Sequence, residues 1–216
     1  MNRRMKEINQ INPKITKVVA FDCDGVMFDS SESNKAYYNQ VLAHFGMPEL
    51  TPEQFAFTHM HTADDSMAYL FEDKNFLEKA QAYRKRMTYM PFIRHMEMEP
   101  HLKQLLFKLR NYYKTAIASN RTDTMAKVLE VHGLEDDFDF VVSALDVPRP
   151  KPYPDQLFKI MDFFKVAPEE MIYVGDSEVD ERAATAAGVA LVAYGNPGLS
   201  AELHITSLKE LETILL

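Results

Sequence analysis

In "KVVAFDCDGVMFDS", residues 17–30, an apolar run passes directly into acid: Asp22, Asp24 and Asp29 follow "VVAF" within one short stretch. β-Branched and aromatic residues at 18–21 predict a buried strand, so like charges crowd where that strand ends. A turn explains part of this, because Asp24-Gly25 is common turn chemistry and Asp29 or Ser30 can start a helix. The rest of the chain has to choose between a turn and a site.

The bulk properties narrow the choice. At 216 residues and 46% hydrophobic content, the chain can bury one substantial core, or one core with a small accessory domain. A net charge of −8 without a long Lys/Arg run lacks the basic footprint of a nucleic-acid binder, so no nucleic-acid partner is expected. An acidic protein that handles an anionic substrate must concentrate positive charge locally, through a metal or a few basic side chains. Cys23 is the only cysteine, which rules out an intrachain disulfide and fits a reducing compartment. "MNRRMKEINQINPK" has no apolar segment and no run is long enough to cross a membrane, so a cytoplasmic location is the expectation.

Apolar, strand-like runs recur at 15–21, 114–119, 138–145, 170–176 and 189–195, and helix-like segments separate the last four. That alternation predicts an α/β fold, a Rossmann-like doubly wound parallel sheet. Residues 22–113 separate the first two runs, roughly three times the ~30 residues that a βαβ crossover needs. The excess is helical in pattern, with "NKAYYNQVLAHFG", "ADDSMAYLFED" and "NFLEKAQAYRKRMTYM" punctuated by Pro48, Pro52 and Pro91. The expected organisation is an α/β core of 1–31 and 94–216 with an inserted all-helical cap of 32–93. Met and aromatic residues within the insert are expected to form its own small core.

In such a sheet, ligands bind beyond the carboxyl ends of the strands, where strand order reverses. The residues placed there are Asp22 and Asp24, Ser119-Asn120, Lys151 between Pro150 and Pro152, and Asp176-Ser177 with Asp180. Each has a bland explanation. Ser177 and Asp180 match a helix capping box, Asn120 could cap the next helix, and Lys151 could be a solvated loop lysine. Independent caps and turns, however, need not supply carboxylates, a hydroxyl, an amide and an ammonium in this order.

In that order the residues resemble the haloacid dehalogenase-like hydrolase superfamily, in its phosphoglycolate phosphatase-like branch with a helical cap after the first motif. "FDCDGVMFDS" resembles the first family motif, "IASN" the second, "RPKPYPD" the third and "VGDSEVD" the fourth. The resemblance implies Asp22 as nucleophile, Asp24 as acid and base, Ser119 and Asn120 as phosphate binders and Lys151 as charge stabiliser. It also implies Mg²⁺ held by Asp22, Asp176 and the Asp24 backbone carbonyl, with Ser177 and Asp180 in support. Physical chemistry makes sense of these roles. Phosphoryl transfer depends on positioning and on neutralising charge, and a carboxylate nucleophile would be repelled without a cation. Mg²⁺ takes hard oxygen ligands, which suits aspartates.

The expected function is a Mg²⁺-dependent phosphatase acting on a small-molecule phosphate monoester, phosphoglycolate- or sugar-phosphate-like, through an aspartyl phosphate. A β-phosphoglucomutase-like phosphomutase shares all four motifs; it usually has a Ser-Arg-containing cap loop, which "THMHTADDS" lacks. A non-catalytic binding domain would be expected to lose acidic motif residues, and none is missing. His59 and His61 stand where relatives often carry a Gly-containing loop, and are read as loop residues without a third metal ligand. Arg84, Lys85, Arg86 and Arg94 are read first as a solvated face, with positive charge beside the substrate as the other reading. His101 stands where relatives often have Pro-Gly. The chain is expected to be a monomer or a homodimer.

Overall fold

A computed structural model describes residues 11–216; the polar N-terminal stretch discussed above lies, through Gln10, outside the described residues. In chain order the elements begin with strand β1 (Val18–Phe21) and the two-residue strand β2 (Phe28–Asp29). Five helices follow: α1 (Ser31–His44), α2 (Pro52–Met60), α3 (Ala63–Leu70), α4 (Lys74–Arg84) and α5 (Met90–Ile93). The chain returns through β3 (Glu97–Met98) to α6 (Leu102–Leu109), β4 (Lys114–Ala118), α7 (Met125–His132) and β5 (Phe140–Val142). It ends with α8 (Asp155–Phe164), β6 (Met171–Gly175), α9 (Glu178–Ala187), β7 (Ala190–Tyr194), β8 (Leu203–Ile205) and α10 (Leu208–Leu215).

Six strands form one parallel sheet in the order β5-β4-β1-β6-β7-β8. The chain winds outward from β1 through β4 to β5, then crosses back to β6 on the other side and winds the other way. β1 is therefore the switch point, with the carboxyl ends of β4 and β6 beside its own. Its four residues have no solvent exposure, and alternate ones feed opposite cores. Val19 and Phe21 pack with Leu102, Leu105, Leu106 and Leu109 of α6 and with α7 and α10. Val18 and Ala20 face α8 and α9. Each buried leucine or phenylalanine contributes roughly 1.5–3 kcal/mol over its exposed state, which anchors the strand ends against their helices.

The insertion is helical and builds its own core from Tyr37, Tyr38, Val41, Leu42, Met67, Leu70, Phe71, Ala80 and Phe92. A two-stranded antiparallel ribbon, Phe28 opposite Met98 and Asp29 opposite Glu97, ties the outgoing and returning chains together. This ribbon and β8 are elements that the sequence pattern did not predict; strands of two and three residues carry too little periodicity. "THMH" is also not a loop. The Thr51 capping box with Pro52 starts α2, which runs to Met60, and Thr62 caps α3 immediately after. No described helix is long and apolar enough to cross a membrane.

Candidate active site

Asp22 is the first residue past β1, and its N–H still donates to the Val174 carbonyl at 2.9 Å, so the sheet fixes where its carboxylate starts. Gly25 then turns the chain at φ +83°, a backbone conformation that L side chains rarely adopt. The turn is tight for a second reason: a Cβ at Gly25 would stand 2.1 Å from Asp176 Oδ2. Gly175 does the same for the next strand, since a Cβ there would lie 2.5 Å from the Asp180 Cβ. Gly25 thus lets the end of β1 close on Asp176 beyond β6, and Gly175 lets Asp180 of α9 pack against the end of β6. Carboxylate oxygens of Asp22, Asp176 and Asp180 consequently lie within 4.8 Å of one another.

One ammonium sits among them. Lys151 Nζ lies 2.8 Å from Asp22 Oδ1, 2.7 Å from Asp180 Oδ1 and 2.9 Å from the Tyr173 hydroxyl, which engages all three of its hydrogens. The solvated-loop explanation for Lys151 fails, because it is 3% exposed and lies beneath the cleft. The capping explanation for Asp180 is half of the truth. Asp180 Oδ2 accepts the N–H groups of Asp176 and Ser177 and the Ser177 hydroxyl, while Oδ1 faces Lys151 and Tyr173. Asp180 is thereby saturated and braces the lysine.

Asp22 and Asp176 are not balanced in this way. Burial pushes the Asp22 carboxyl up to about 7, with Asp180 and Asp24 adding repulsion and Lys151 opposing it. Burial together with Asp180 and Asp22 raises Asp176 well above the ordinary carboxylate range. Among the described residues, nothing donates a hydrogen bond to the Asp176 carboxylate or to the Asp24 carbonyl. Three carboxylates with one ammonium and unclaimed oxygen donors fit a hard divalent cation held by Asp22, Asp176 and that carbonyl.

Asp24 stands apart from this cluster. Its Oδ1 takes a hydrogen bond from Ser30 and pairs with Arg121 Nη2 at 2.6 Å. Burial alone would raise its pKa, but Arg121, His59 and Ser30 outweigh that and hold it below the usual carboxylate value. Arg121 also lies over the Tyr89 ring, at 5.2 Å from its centroid. The Tyr89 hydroxyl donates to Asn34 Oδ1 at 2.5 Å, and Asn34 Nδ2 reaches His59 Nδ1 at 3.1 Å. Sequence reading missed Arg121, although its place directly after Asn120 at a strand end was a usable signal. Tyr173, inside a strand, offered none.

Asn120 does not cap α7. Its amide donates to the Lys151 carbonyl at 2.9 Å and to the Met60 carbonyl at 3.2 Å, joining the third motif and α2, and its Oδ1 is buried without a partner. The Ser119 oxygen accepts from the Arg121 N–H at 3.1 Å, so its own hydrogen remains to be donated. The backbone N–H groups of Asp24 and Asn120 donate to no described residue.

A cleft open to solvent has Asp22, Asp24, Ser119, Asn120 and Asp176 on its floor. Tyr37, His59, Arg84 and Tyr89 stand over them. Arg84 is a correction to the solvated-face reading: its side chain is 10% exposed, whereas Lys85, Arg86 and Arg94 are exposed as expected. His61 also lines the cleft, stacked on Phe57 with ring centroids 3.9 Å apart. His101 stands at the start of α6 without a side-chain capping bond and donates its backbone N–H to Glu99 Oε2 at 2.6 Å.

The family described as haloacid dehalogenase-like hydrolase matches residues 19–194. A phosphoglycolate phosphatase of Chromobacterium violaceum is 28% identical, over 95% of this chain and 99% of that one. Another from Aquifex aeolicus is 25% identical, over 87% and 89% respectively. The crystal structure of a HAD-superfamily hydrolase, subfamily IA, variant 1, from Geobacter sulfurreducens superposes with a TM-score of 0.76 at 34% identity, over 94% of this chain and 97% of that one. With a switch-point cleft walled by the acidic cluster, the chain belongs to the haloacid dehalogenase-like hydrolase family, in its phosphoglycolate phosphatase-like branch, and is a phosphoric monoester hydrolase.

Proposed function

We propose that this chain is a Mg²⁺-dependent phosphatase that hydrolyses a small phosphate monoester through an aspartyl phosphate on Asp22, with residues 32–93 acting as a cap over the core of 1–31 and 94–216. The observation that carries the reading is the placement of Asp22 on the cleft floor, within 4.8 Å of Asp176 and Asp180 and 2.8 Å from Lys151. Mg²⁺ bound there would neutralise charge on the transferred phosphoryl group. The chain's own residues do the rest. The Asp24 and Asn120 N–H groups and the Ser119 hydroxyl offer donors to phosphate oxygens, and Lys151 aims Asp22 and favours its ionised form against the effect of burial. An Asp22 oxygen forms a bond to phosphorus as the bond to the leaving oxygen breaks, and Asp24, in the protonated form that its pairing with Arg121 disfavours and that the second step regenerates, supplies the proton that oxygen needs. Water then attacks the same phosphorus, Asp24 takes its proton, and Asp22 is released with inorganic phosphate.

The relatives' names make 2-phosphoglycolate the first substrate to try. A panel of phosphate monoesters assayed with Mg²⁺ is expected to release phosphate. Excess chelator is expected to abolish that release, Mg²⁺ to restore it, and Ca²⁺ to inhibit, because its looser and higher coordination spoils in-line geometry. Full activity in chelator overturns the metal assignment.

Asp24 is tested through the leaving group. Asp24→Asn is expected to slow Asp22 phosphorylation strongly with alkyl phosphates and much less with p-nitrophenyl phosphate, whose phenolate leaves without a proton. Hydrolysis of the aspartyl phosphate slows for both, so phosphoenzyme accumulates with the activated ester. Single-turnover traces that separate leaving-group release from phosphate release check this. Equal loss of both steps for both esters assigns Asp24 to the metal site instead, and no loss makes it a turn residue. An alkyl sugar phosphate that returns as a positional isomer faster than phosphate appears shows a mutase.

A further inference from the structure

The described cations in and below the cleft are unequally matched. Lys151 is held by Asp22 and Asp180, and Arg121 by Asp24 at 2.6 Å, so both are neutralised by carboxylates of the site itself. Arg84, at the end of α4, is different. Its Nε donates to Gln81 Oε1 at 2.9 Å and its Nη2 to Asp64 Oδ1 at 2.6 Å. Asp64 is an outer partner: its side chain is 68% exposed, against 10% for Arg84, and it does not line the cleft. Water screens an ion pair of that kind, so Asp64 answers the Arg84 guanidinium less fully than the buried carboxylates answer Lys151 and Arg121. The remaining donors face the Tyr37 hydroxyl and the cleft, above the phosphate floor.

Arg84 and Asp123, of opposite charge, both line the cleft with Tyr37. An anionic group fits beside Arg84 and is repelled beside Asp123. A planar guanidinium matches a carboxylate or a phosphate with two parallel hydrogen bonds, a geometry that an ammonium or a histidine does not offer. The cleft is open to solvent and lined by Arg84 as well as by the floor residues Asp22, Ser119 and Asn120, so one small molecule on the floor can present a second group to the roof.

We propose that Arg84 is the specificity-determining residue of the cap, binding a second anionic group, carboxylate or phosphate, on the portion of the substrate that leaves. This rests on the phosphatase reading and narrows it to doubly anionic phosphate compounds. The covalent chemistry is unchanged, with Arg84 binding the leaving portion away from the phosphorus.

The test is a ratio of kcat/KM values measured with Mg²⁺ for three probes. 2-Phosphoglycolate carries a carboxylate, inorganic pyrophosphate a second phosphate, and glycerol 2-phosphate neither. Wild-type protein is expected to favour one of the two anionic probes, and which one identifies the anion. In Arg84→Met the anionic-to-neutral ratio is expected to fall ~30-fold, the scale of a lost charge-assisted hydrogen bond. Arg84→Lys keeps the charge without the fork and is expected to fall in between; it also serves if the methionine variant does not fold. Asp64→Asn removes the competing carboxylate from an exposed position and is expected to raise the ratio, whereas a purely structural Arg84 would lose order and leave the ratio flat. A ratio unchanged in both Arg84 variants, or a wild type that favours the neutral probe, overturns the inference and leaves the phosphatase reading standing. No phosphate release from any probe, nor from p-nitrophenyl phosphate, overturns the phosphatase reading and this inference with it.

Discussion

Asp22→Asn is expected to lower phosphate release at least ~10³-fold while leaving the fold intact, because an amide is neither the nucleophile nor an equal metal ligand. Stability is expected to move the other way. Burial holds the Asp22 carboxyl at about 7 when folded, well above the ordinary carboxylate value, so the folded protein binds a proton there that the unfolded chain has already lost. Ionising Asp22 therefore costs stability as pH rises through the unfolded pKa toward about 7, and the full cost is present above that value. A neutral amide removes it, so at pH 8 in chelator the variant is expected to melt no lower than the wild type. Activity above about a tenth of wild type, roughly 1.4 kcal/mol of barrier, refutes the nucleophile assignment. A lower melting temperature in chelator refutes the electrostatic account.

The second large effect is at Lys151. Lys151→Met leaves Asp22, Asp176 and Asp180 buried together with no counter-ion, a loss on the order of 3–5 kcal/mol. For a chain of this length that corresponds to a fall in Tm of roughly 6–20 °C, and activity should be lost with it. The pH dependence identifies the cause. Without the ammonium, the folded-state pKa of Asp22 rises further above its unfolded value, and that of Asp180, held below the usual carboxylate value against burial by Lys151, Ser177 and Tyr173, loses its largest lowering influence and rises as well. The folded variant then binds more protons than the unfolded chain, and its stability falls as pH rises. Denaturant unfolding of both proteins in chelator should show a larger wild-type-to-variant gap at pH 8 than at pH 5. A gap of equal size at both values would mean that Lys151 contributes packing and hydrogen bonds without an electrostatic role.

The sheet and the floor of the cleft were legible because they depend on local pattern and chain order. Apolar runs separated by helix-like segments predicted parallel strands, and a parallel doubly wound sheet must bring its carboxyl ends to one edge. Asp22, Ser119 and Asp176 meet because β4 and β6 flank β1 on either side. The helical insertion was legible for a similar reason, since residues 22–113 are too many for one crossover.

The partners of those residues were not legible. Arg121 meets Asp24 across 97 positions of sequence, and Tyr89 meets Asn34 across 55, distances over which no period or cap carries information. Arg84 shows the limit most directly. In "YRKRM" its charge is indistinguishable from that of its neighbours Lys85 and Arg86, yet the packing of α4 in the cap turns Arg84 into the cleft and leaves those neighbours in water. Asp180 could be read as a helix cap and is one, but only the meeting of Lys151 and Tyr173 at its other oxygen makes it the brace of a buried ammonium. The sequence by itself determined which strands exist, in what order they run and therefore which acids share an edge, because hydrophobic period and connectivity are written along the chain. Only the tertiary structure decided which charge answers which, because desolvation and Coulomb energy depend on distances through space between segments remote in sequence.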